Sequence, residues 1–383
     1  MTAAQKPAAK KTAAKKTVDA STAQTATPGD ARFEVNVSRG FETWLASQNA
    51  SVAITTYQVG KVILFGIGQE GKLWTYNRNI GRCLGMASAA DVGSGKPRHL
   101  WISSETQLYR FTDVLEDGAS AVKGSDALYM PRLSYFTGDL DAHDIGIDGE
   151  SQPVFVNTLF NCLARPSADH SFVPVWKPDF ISALVAEDRC HLNGLAMRDG
   201  KPAFVTAISA TDTYDAWRDG RRDRGIVIDV ETGEIVCGGL SMPHSPRWHE
   251  GKLWLHNSGK GEFGYVDLDA KSFVPVAFCP GYLRGLAFMG DVAVAGLSLP
   301  RDNKTFSGLS LDEELDKRGI SPRAGLYFID TKSGTILHTI NFEGIVTELY
   351  DVVALPGIRQ PAMIGPTSEE LKRTLSMGPT QEL

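Results

Sequence analysis

Six short runs recur along the chain: "CLGMAS" from residue 83, "AHDIGID" from 142, "HLNGLAM" from 191, "HSPRWHEG" from 244, "YLRGLAF" from 282 and "ELYDVVA" from 348. Each opens on polar or turn-like residues and continues into small and apolar ones. Several lead through a turn into a second apolar stretch, "PVFVNT", "PAFVTA", "KLWLHN" or "VAVAGL". The spacing, roughly 40 to 65 residues, suits a four-stranded propeller blade with loops of variable length. A β-sandwich with insertions is the alternative, but a sandwich requires no recurrent opening through the whole chain.

The stretches between these runs carry strand signals. "SVAITTYQVGKVILFGIGQEGKLWTY" reads as strands over Ser51 to Tyr57, Lys61 to Ile67 and Lys72 to Tyr76, separated by turn residues. Helical periodicity is confined to Arg32 to Ser47 and Leu311 to Lys317. The expected fold is therefore all-β, a six-bladed β-propeller. The last run has no strands after it, and the first strands have no such run before them. Pairing of the carboxyl-terminal strand with the amino-terminal ones in one blade closes the ring without open edges, which places residues 350 and 55 in one sheet. The expected organisation is a disordered Lys/Ala-rich tail over 1–31, a single propeller domain over 32–362, and a helix with a loose end over 363–383.

Bulk properties narrow the function classes. A formal net charge of −6 gives no reason to expect specific nucleic-acid binding by the folded part. The lysines of "MTAAQKPAAKKTAAKKTVDA" could touch acidic surfaces, although the segment also reads as a solvated extension. No apolar stretch approaches the roughly 18 residues of a membrane span. The amino end lacks the apolar segment of a signal peptide. Five scattered cysteines without a C-x-x-C pair fit reduced thiols. Together these features give a cytoplasmic expectation.

In a propeller the innermost strand of each blade lines the central channel, so residues at the starts of these strands converge from distant positions. Here they are His143 and Asp144, His191 and Asn193, His244, Arg284, and Glu348 with Asp351. Neutral imidazoles with a carboxylate suit a borderline divalent metal such as zinc, iron, manganese or copper, and calcium is a further candidate ion. The expected metal set is His143, His191, His244 and Glu348, and the candidates for catalysis are Glu348, Arg284 and Asp144. Arg284 suits a carboxylate or phosphate on a ligand, or an ion pair with Glu348 or Asp144. A metal-free acid–base site and a water-filled channel of self-satisfied polar groups are the other readings of the same residues.

Strand alternation keeps His249 and His256 from sharing the site with His244, and both read as structural. Trp248 and Trp254 read as blade packing, and Tyr57 and Gln58 as lining one mouth. The insertion "TDTYDAWRDGRRDRG" over 211–225 reads as an exposed charged loop or as a lid carrying Tyr214, Trp217, Arg218, Arg221 and Arg222 toward an anionic ligand. The segment over 301–319 has the same two readings. No nucleophile elbow, phosphate-cradling loop, H-E-x-x-H or dinucleotide fingerprint is present.

"TTYQVGKVILF", "MPHSPRWHEGKLWLHNSG", "CPGYLRGLAF" and "ELYDVVALPG" together resemble an uncharacterised bacterial family of conserved hypothetical proteins, over about residues 35 to 362. "CLGMAS" departs slightly from that family's Met-Gly-Leu-Ala order. The resemblance implies a propeller-type fold and no established activity. "HLNGLAMRDGKPAFVT" is also similar to the strand-turn-strand of gluconolactonase and senescence-marker-type propellers, which implies Asn193 as a ligand of a divalent cation. The expected function is a metal-assisted enzyme, a hydrolase, lyase or oxidoreductase, acting on a small or peptide-like anionic substrate at the axis. The alternative is a non-catalytic propeller that binds a protein, peptide or glycan.

Overall fold

The computed structural model describes residues 33–90, 95–116, 118–300 and 308–377. The tail expected over 1–31 lies outside the described residues. Among the described residues, twenty-four strands form six four-stranded antiparallel blades, and two further strands extend two of them. The innermost strands are Val352–Pro356, Met86–Ala90, Ala142–Ile147, Leu192–Arg198, Pro243–His249 and Tyr282–Met289, for the first to the sixth blade respectively. Each touches the next, and the sixth touches the first, so the ring is complete. All six recurring runs lie at the start of an innermost strand.

Burial follows from this arrangement. The inner strands Ala50–Thr55 and Lys61–Ile67 of the first blade are flanked on both faces by neighbouring blades and are buried almost throughout. Their sequences are accordingly continuous apolar runs. The outer strand Leu73–Asn79 sees solvent and alternates. Cores form between consecutive blades. Ala53, Val62 and Leu64 of the first blade pack on Leu100, Ile102 and Phe111 of the second.

The first blade closes the ring as expected. Ala50 to Ile54 pairs antiparallel with Pro356 to Val352. The pairing continues one step further, where Tyr350 N donates to Thr55 O at 2.9 Å.

The ends of the domain differ from expectation. A helix was expected from Arg32, but Phe33–Val37 is a strand, antiparallel to Ile336–Gly344 on the outer edge of the sixth blade. Its sequence FEVNV alternates in and out, which an exposed sheet edge selects and a helix does not. The helix begins only at Phe41 and ends at Gln48, burying Phe41 and Leu45. Beyond residue 362 the chain was expected to leave the domain. Instead, Pro361–Met363 pairs parallel with Ala127–Tyr129 and extends the second blade. The expected carboxyl-terminal helix is one 3-10 turn at Glu369–Lys372, held to the first blade by Glu370 and Arg78 at 2.9 Å. Two outer edges are thus capped by the chain's own ends. Among the described residues no helix is long and apolar enough to cross a membrane.

One device recurs at five junctions between blades. A Ser or Thr hydroxyl near the end of a blade's second strand donates to a carbonyl at the opening of the next blade's innermost strand. The pairs are Thr55 to Leu84 (2.5 Å), Ser103 to Ala142 (2.8 Å), Thr158 to Leu192 (2.6 Å), Ser258 to Leu283 (2.7 Å) and Ser298 to Leu349 (3.1 Å). These carbonyls lie at or just before the start of an innermost strand, so a hydroxyl of one blade fastens the opening of the next.

Candidate functional site

Backbone irregularities aim the axial side chains. The innermost strands of the fourth, fifth and sixth blades each carry a register shift near their start, at Leu192/Gly194, His244/Arg247 and Leu283/Leu286. A bulge of this kind turns a side chain that simple alternation would send elsewhere. His191, Met242 and Ser245 have φ of 51°, 50° and 51°, a region that non-glycine residues adopt uncommonly and that is enriched at functional sites. Gly285, with φ 74°, is required: a Cβ there would lie 2.6 Å from the backbone nitrogen of Val352 in the first blade.

Two layers of polar residues result. The deeper one is an ion-pair bridge. Arg247 places Nη1 2.8 Å from Asp144 Oδ2 and Nη2 3.2 Å from Asp351 Oδ1. The carboxylates also accept backbone N–H groups: Ile145 and Leu195 on Asp144, Met86 and Val352 on Asp351. Burial pushes the Asp351 carboxyl up to about 7; Arg247 opposes the shift and Asp144 adds to it. Burial opposes the charge on Arg247, but the two carboxylates raise it above its ordinary value. Asp144, a candidate for catalysis by sequence, is therefore engaged in the bridge. A cavity of about 360 Å³ borders this layer, lined by Arg247 and by apolar residues including Met86, Ile145, Leu195, Trp248 and Phe288.

The second layer gathers the histidines. His143 and His191 meet edge to face with ring centroids 4.8 Å apart, and His143 meets Tyr350 at 5.5 Å. The Arg284 guanidinium lies 4.8 Å from the centre of the Tyr350 ring and 5.4 Å from that of Tyr282. His244 contacts Tyr282 at 5.4 Å, and Asn193 Nδ2 donates to His244 Nε2 at 3.0 Å. The sequence-selected His143, His191, His244, Asn193 and Arg284 are thus brought into one connected cluster, all buried.

Hydrogen bonds define the state of each ring. His143 Nδ1 faces the Asp141 carbonyl at 2.8 Å and the Thr158 hydroxyl at 2.9 Å, whose own proton goes to Leu192. His244 Nδ1 faces the Met242 carbonyl at 2.8 Å. Both Nδ1 atoms therefore carry the proton and both Nε2 atoms are acceptors. Burial brings His143 down to about 4; Asp141 opposes the shift, and His191 and Arg284 add to it. Burial and then Arg284 hold His244 well below its ordinary value. His191 Nδ1 donates to Asp188 Oδ2 at 2.9 Å. Burial pushes Asp188 up, yet the adjacent His191 and the hydrogen bonds it accepts hold the carboxyl below its usual range. Burial raises Tyr350 well above the usual phenol value, and its hydroxyl is buried without a hydrogen-bond partner among the described residues.

Glu348 lines a surface cleft of about 670 Å³ with Tyr57, Gln58, Asn79 and Arg82. Tyr57 stacks on Tyr350 at 6.2 Å, so this cleft lies one ring from the histidine layer. His256 is buried in the fifth blade with Nε2 on the Gly285 carbonyl, and burial takes it down to about 4. His249 stacks on Phe288 at 4.1 Å. Trp254 stacks on Phe263 within the fifth blade, and Trp248 stacks on Phe204 of the fourth.

The 211–225 insertion covers the cluster. Trp217 stacks on His191 at 4.1 Å and donates to Asp188 Oδ2 at 3.0 Å. It is buried with Ile208, Met242 and Tyr282, and with Leu309, Leu311 and Leu315 of the second insertion. Of the arginines that the lid reading turns toward a ligand, Arg218 pairs with Asp215, Arg221 donates to the Arg218 carbonyl, and Arg222 pairs with Glu313. Tyr214 is exposed. Residues 301–307 of the second segment lie outside the described residues, and Ser310–Arg318 is a helix.

Among the described residues, no group of three His, Cys, Asp or Glu side chains is arranged to hold a metal ion. Sequence reasoning passed over three residues of the site. Arg247 stands three positions after His244, where unbroken alternation sends it to the other face; the bulge reverses that. Tyr350 lies beside Asp351, where the rule that strand starts converge at the axis points to it; Asp188 stands three positions before His191, in an irregular link that the rule does not reach.

Among solved structures, the nidogen/laminin complex is similar at 10% identity and a TM-score of 0.50, covering 80% of this chain and 98% of that one. At this identity the likeness concerns the fold alone. An inactive H270A virginiamycin B lyase from Staphylococcus aureus with quinupristin gives 12% identity and a TM-score of 0.39, covering 82% of this chain and 100% of that chain. TolB from Acinetobacter baumannii gives 12% and 0.45, covering 80% and 67%. No curated protein matches the sequence. Residues 39–364 match the family model described as a domain of unknown function, DUF4915, and the chain belongs to that family.

Proposed function

We propose that the histidine layer is a binding and acid–base site for a small carboxylate-bearing ligand, reached through the face that the 211–225 insertion covers. The observation that carries this reading is the Asp188–His191 pair at 2.9 Å, set against a neutral imidazole within a cluster that holds a guanidinium. A carboxylate at Nδ1 fixes the proton there and turns the Nε2 lone pair away from it, the arrangement a general base requires. Arg284, on the faces of Tyr282 and Tyr350, supplies the planar fork that a carboxylate fits. The positive-φ backbone at His191 and Ser245 is the sort of strain that accumulates where a site is held in place.

A divalent metal is not part of this reading, because the donors do not fit one. The Nε2 lone pair of His244 already accepts from Asn193, and Asp144 and Asp351 are engaged by Arg247. The charge on Arg284 already disfavours protonation of His143 and His244, and it would disfavour a metal cation in the same way.

The test is a titration of histidine-labelled protein with sodium propionate, against matched sodium chloride, followed through the imidazole nitrogen resonances. Saturable shifts of His143 and His191 are expected, lost in Arg284→Gln. Resonances that do not respond to propionate would overturn the reading.

A further inference from the structure

We infer that the axial cavity beside Arg247 is a second binding site, which takes an uncharged aromatic molecule of about two fused rings carrying one hydrogen-bonding group. The site goes beyond the carboxylate reading and does not depend on it.

Every blade contributes to the cavity wall. Val352, Met86, Ile145, Leu195, Trp248 and Phe288 come from the first to the sixth blade in turn, so the cavity lies on the axis. Each strand meets the histidine layer first and the cavity afterwards: Ile145 follows His143, Leu195 follows His191, and Trp248 follows His244. The two sites therefore occupy successive levels of one channel.

The polar groups beside the cavity are already matched. Met86 and Val352 give their backbone N–H to Asp351, and Ile145 and Leu195 give theirs to Asp144, at 2.8 to 3.0 Å. Arg247 Nη1 donates to Asp144 and to the Pro246 carbonyl, and Nη2 donates to Asp144 and Asp351. An anion would thus meet two carboxylates and a guanidinium whose fork is occupied. The Arg247 side chain is nevertheless 21% exposed. What it still offers a ligand is the face of its planar group and its methylene stem. Both suit an aromatic ring, and the guanidinium face attracts the ring electrostatically.

The wall fits the same partner. Met86 and Met197 present thioethers, whose polarisable sulfur favours aromatic contact. Trp248 is held by stacking on Phe204 at 5.9 Å, and Phe288 by stacking on His249 at 4.1 Å. Walls fixed in this way lose little freedom when a ligand enters. Ile147, Met197 and Phe288 are only half-buried, apolar surface that a ligand would cover. An apolar cavity of about 150 Å³ admits one benzene ring. At about 360 Å³ this one suits about two fused rings. Ser88, half-buried in the same wall, supplies a hydroxyl for one polar substituent.

The test titrates protein labelled at the methionine methyls with 2-naphthol, and with its saturated counterpart decahydro-2-naphthol, followed by NMR. Saturable shifts of Met86 and Met197 are expected with 2-naphthol, while the imidazoles of His143 and His191 stay unmoved. Naphthol should bind about tenfold tighter than the saturated ring. Ala354→Phe sets a ring into the cavity from a half-buried lining position and should abolish binding of both compounds. Ala354→Leu intrudes less, should weaken both, and guards against misfolding. Combining Arg247→Met with Asp144→Asn and Asp351→Asn removes the guanidinium without stranding a carboxylate, and there the two affinities should converge. An absence of saturable methyl shifts, or binding that both Ala354 substitutions leave intact, would overturn the site. Equal affinities in the parent protein, or a preference that persists in the triple variant, would overturn the aromatic ligand class.

Discussion

Arg247 and Asp144 join the fifth blade to the third across the axis, with Nη1–Oδ2 at 2.8 Å and Nη2–Oδ1 at 3.1 Å. The same guanidinium reaches Asp351 at the opening of the first blade. The carboxylates accept the backbone N–H of Leu195 in the fourth blade and of Met86 in the second. Five blades are therefore linked through one half-buried cation, next to the histidine layer. The histidine layer rests on a platform that cannot shift one blade without disturbing the others.

Removing that cation should be costly. Arg247→Met leaves two buried carboxylates facing each other, and loss of one partner of a buried pair destabilises by about 3 to 5 kcal/mol. Urea unfolding should show a drop of that size. In a background that also carries Asp144→Asn and Asp351→Asn the loss should be smaller, because no unpaired charge is left behind. Arg247→Lys should restore little, since an ammonium cannot match both carboxylates as the planar fork does.

Acid should unfold the protein, with a slope set by its buried titrating groups. Burial holds His143 and His256 at about 4, and His244 well below its ordinary value. Unfolded histidine protonates near 6.5, so each of the three contributes stability that is present above that value and lost as pH falls toward about 4. Asp351, raised to about 7 chiefly by burial, works in the opposite sense. Its native form keeps a proton that the unfolded chain releases near 3.8, so its contribution is greatest in acid and is lost as pH rises toward about 7. Three against one leaves a net uptake of protons on unfolding, on the order of two, so stability should fall by roughly 3 kcal/mol per pH unit between roughly pH 4.5 and 6. Denaturant midpoints measured from about pH 7 down to about pH 5 should fall steeply, and Asp351→Asn should steepen the fall. A flat profile would mean that these imidazoles are not buried in neutral form.

The hydroxyl stitches offer a local test. Thr55 Oγ1 donates to the Leu84 carbonyl at 2.5 Å and accepts from Asp351 N at 3.0 Å. Thr55→Val keeps the shape and strands both backbone groups, so a loss of about 1 to 3 kcal/mol is expected. Ser47, whose hydroxyl bonds the Trp44 carbonyl on the exposed face of a helix, serves as control, and Ser47→Ala should stay within about 0.5 kcal/mol.

What could be read from sequence, and what could not, divides along physical lines. Repetition revealed the six innermost strands, because each blade must present the same small and apolar face to a crowded axis. Closure of the ring at Thr55 and Tyr350 followed from the leftover halves of one blade. The strands Phe33–Val37 and Pro361–Met363 escaped notice because each is short and is fixed only by the edge it covers. The five hydroxyl stitches left a visible trace, a Ser or Thr near the end of each blade's second strand, whose meaning needs the neighbouring carbonyl to be seen. Among site residues, the histidines, Asn193 and Arg284 converge because they open strands. Arg247 was hidden by the bulge after His244. Asp188 has φ 33° in the irregular link before His191, where no strand or helix period applies.

The cover over the site is held by apolar packing more than by charge, and this ranking can be measured. Arg222 and Glu313 join the two insertions at 2.7 Å, but their side chains are 50% and 67% exposed. An ion pair so open to water contributes about 0 to 1 kcal/mol. Trp217 is 2% exposed among Ile208, Met242, Tyr282, Leu309, Leu311 and Leu315. Trp217→Ala should therefore cost about 3 to 5 kcal/mol, whereas Arg222→Ala should cost less than about 1. Trp217→Phe keeps an aromatic ring in the apolar cover while removing the Nε1–H donated to Asp188 together with part of the indole's volume. Urea unfolding of the three variants should give the order Ala at 217 far below Phe at 217, and Ala at 222 near the parent. If Arg222→Ala destabilised the fold as much as Trp217→Ala, the cover would be clasped by its surface ion pair, and high salt should then loosen it.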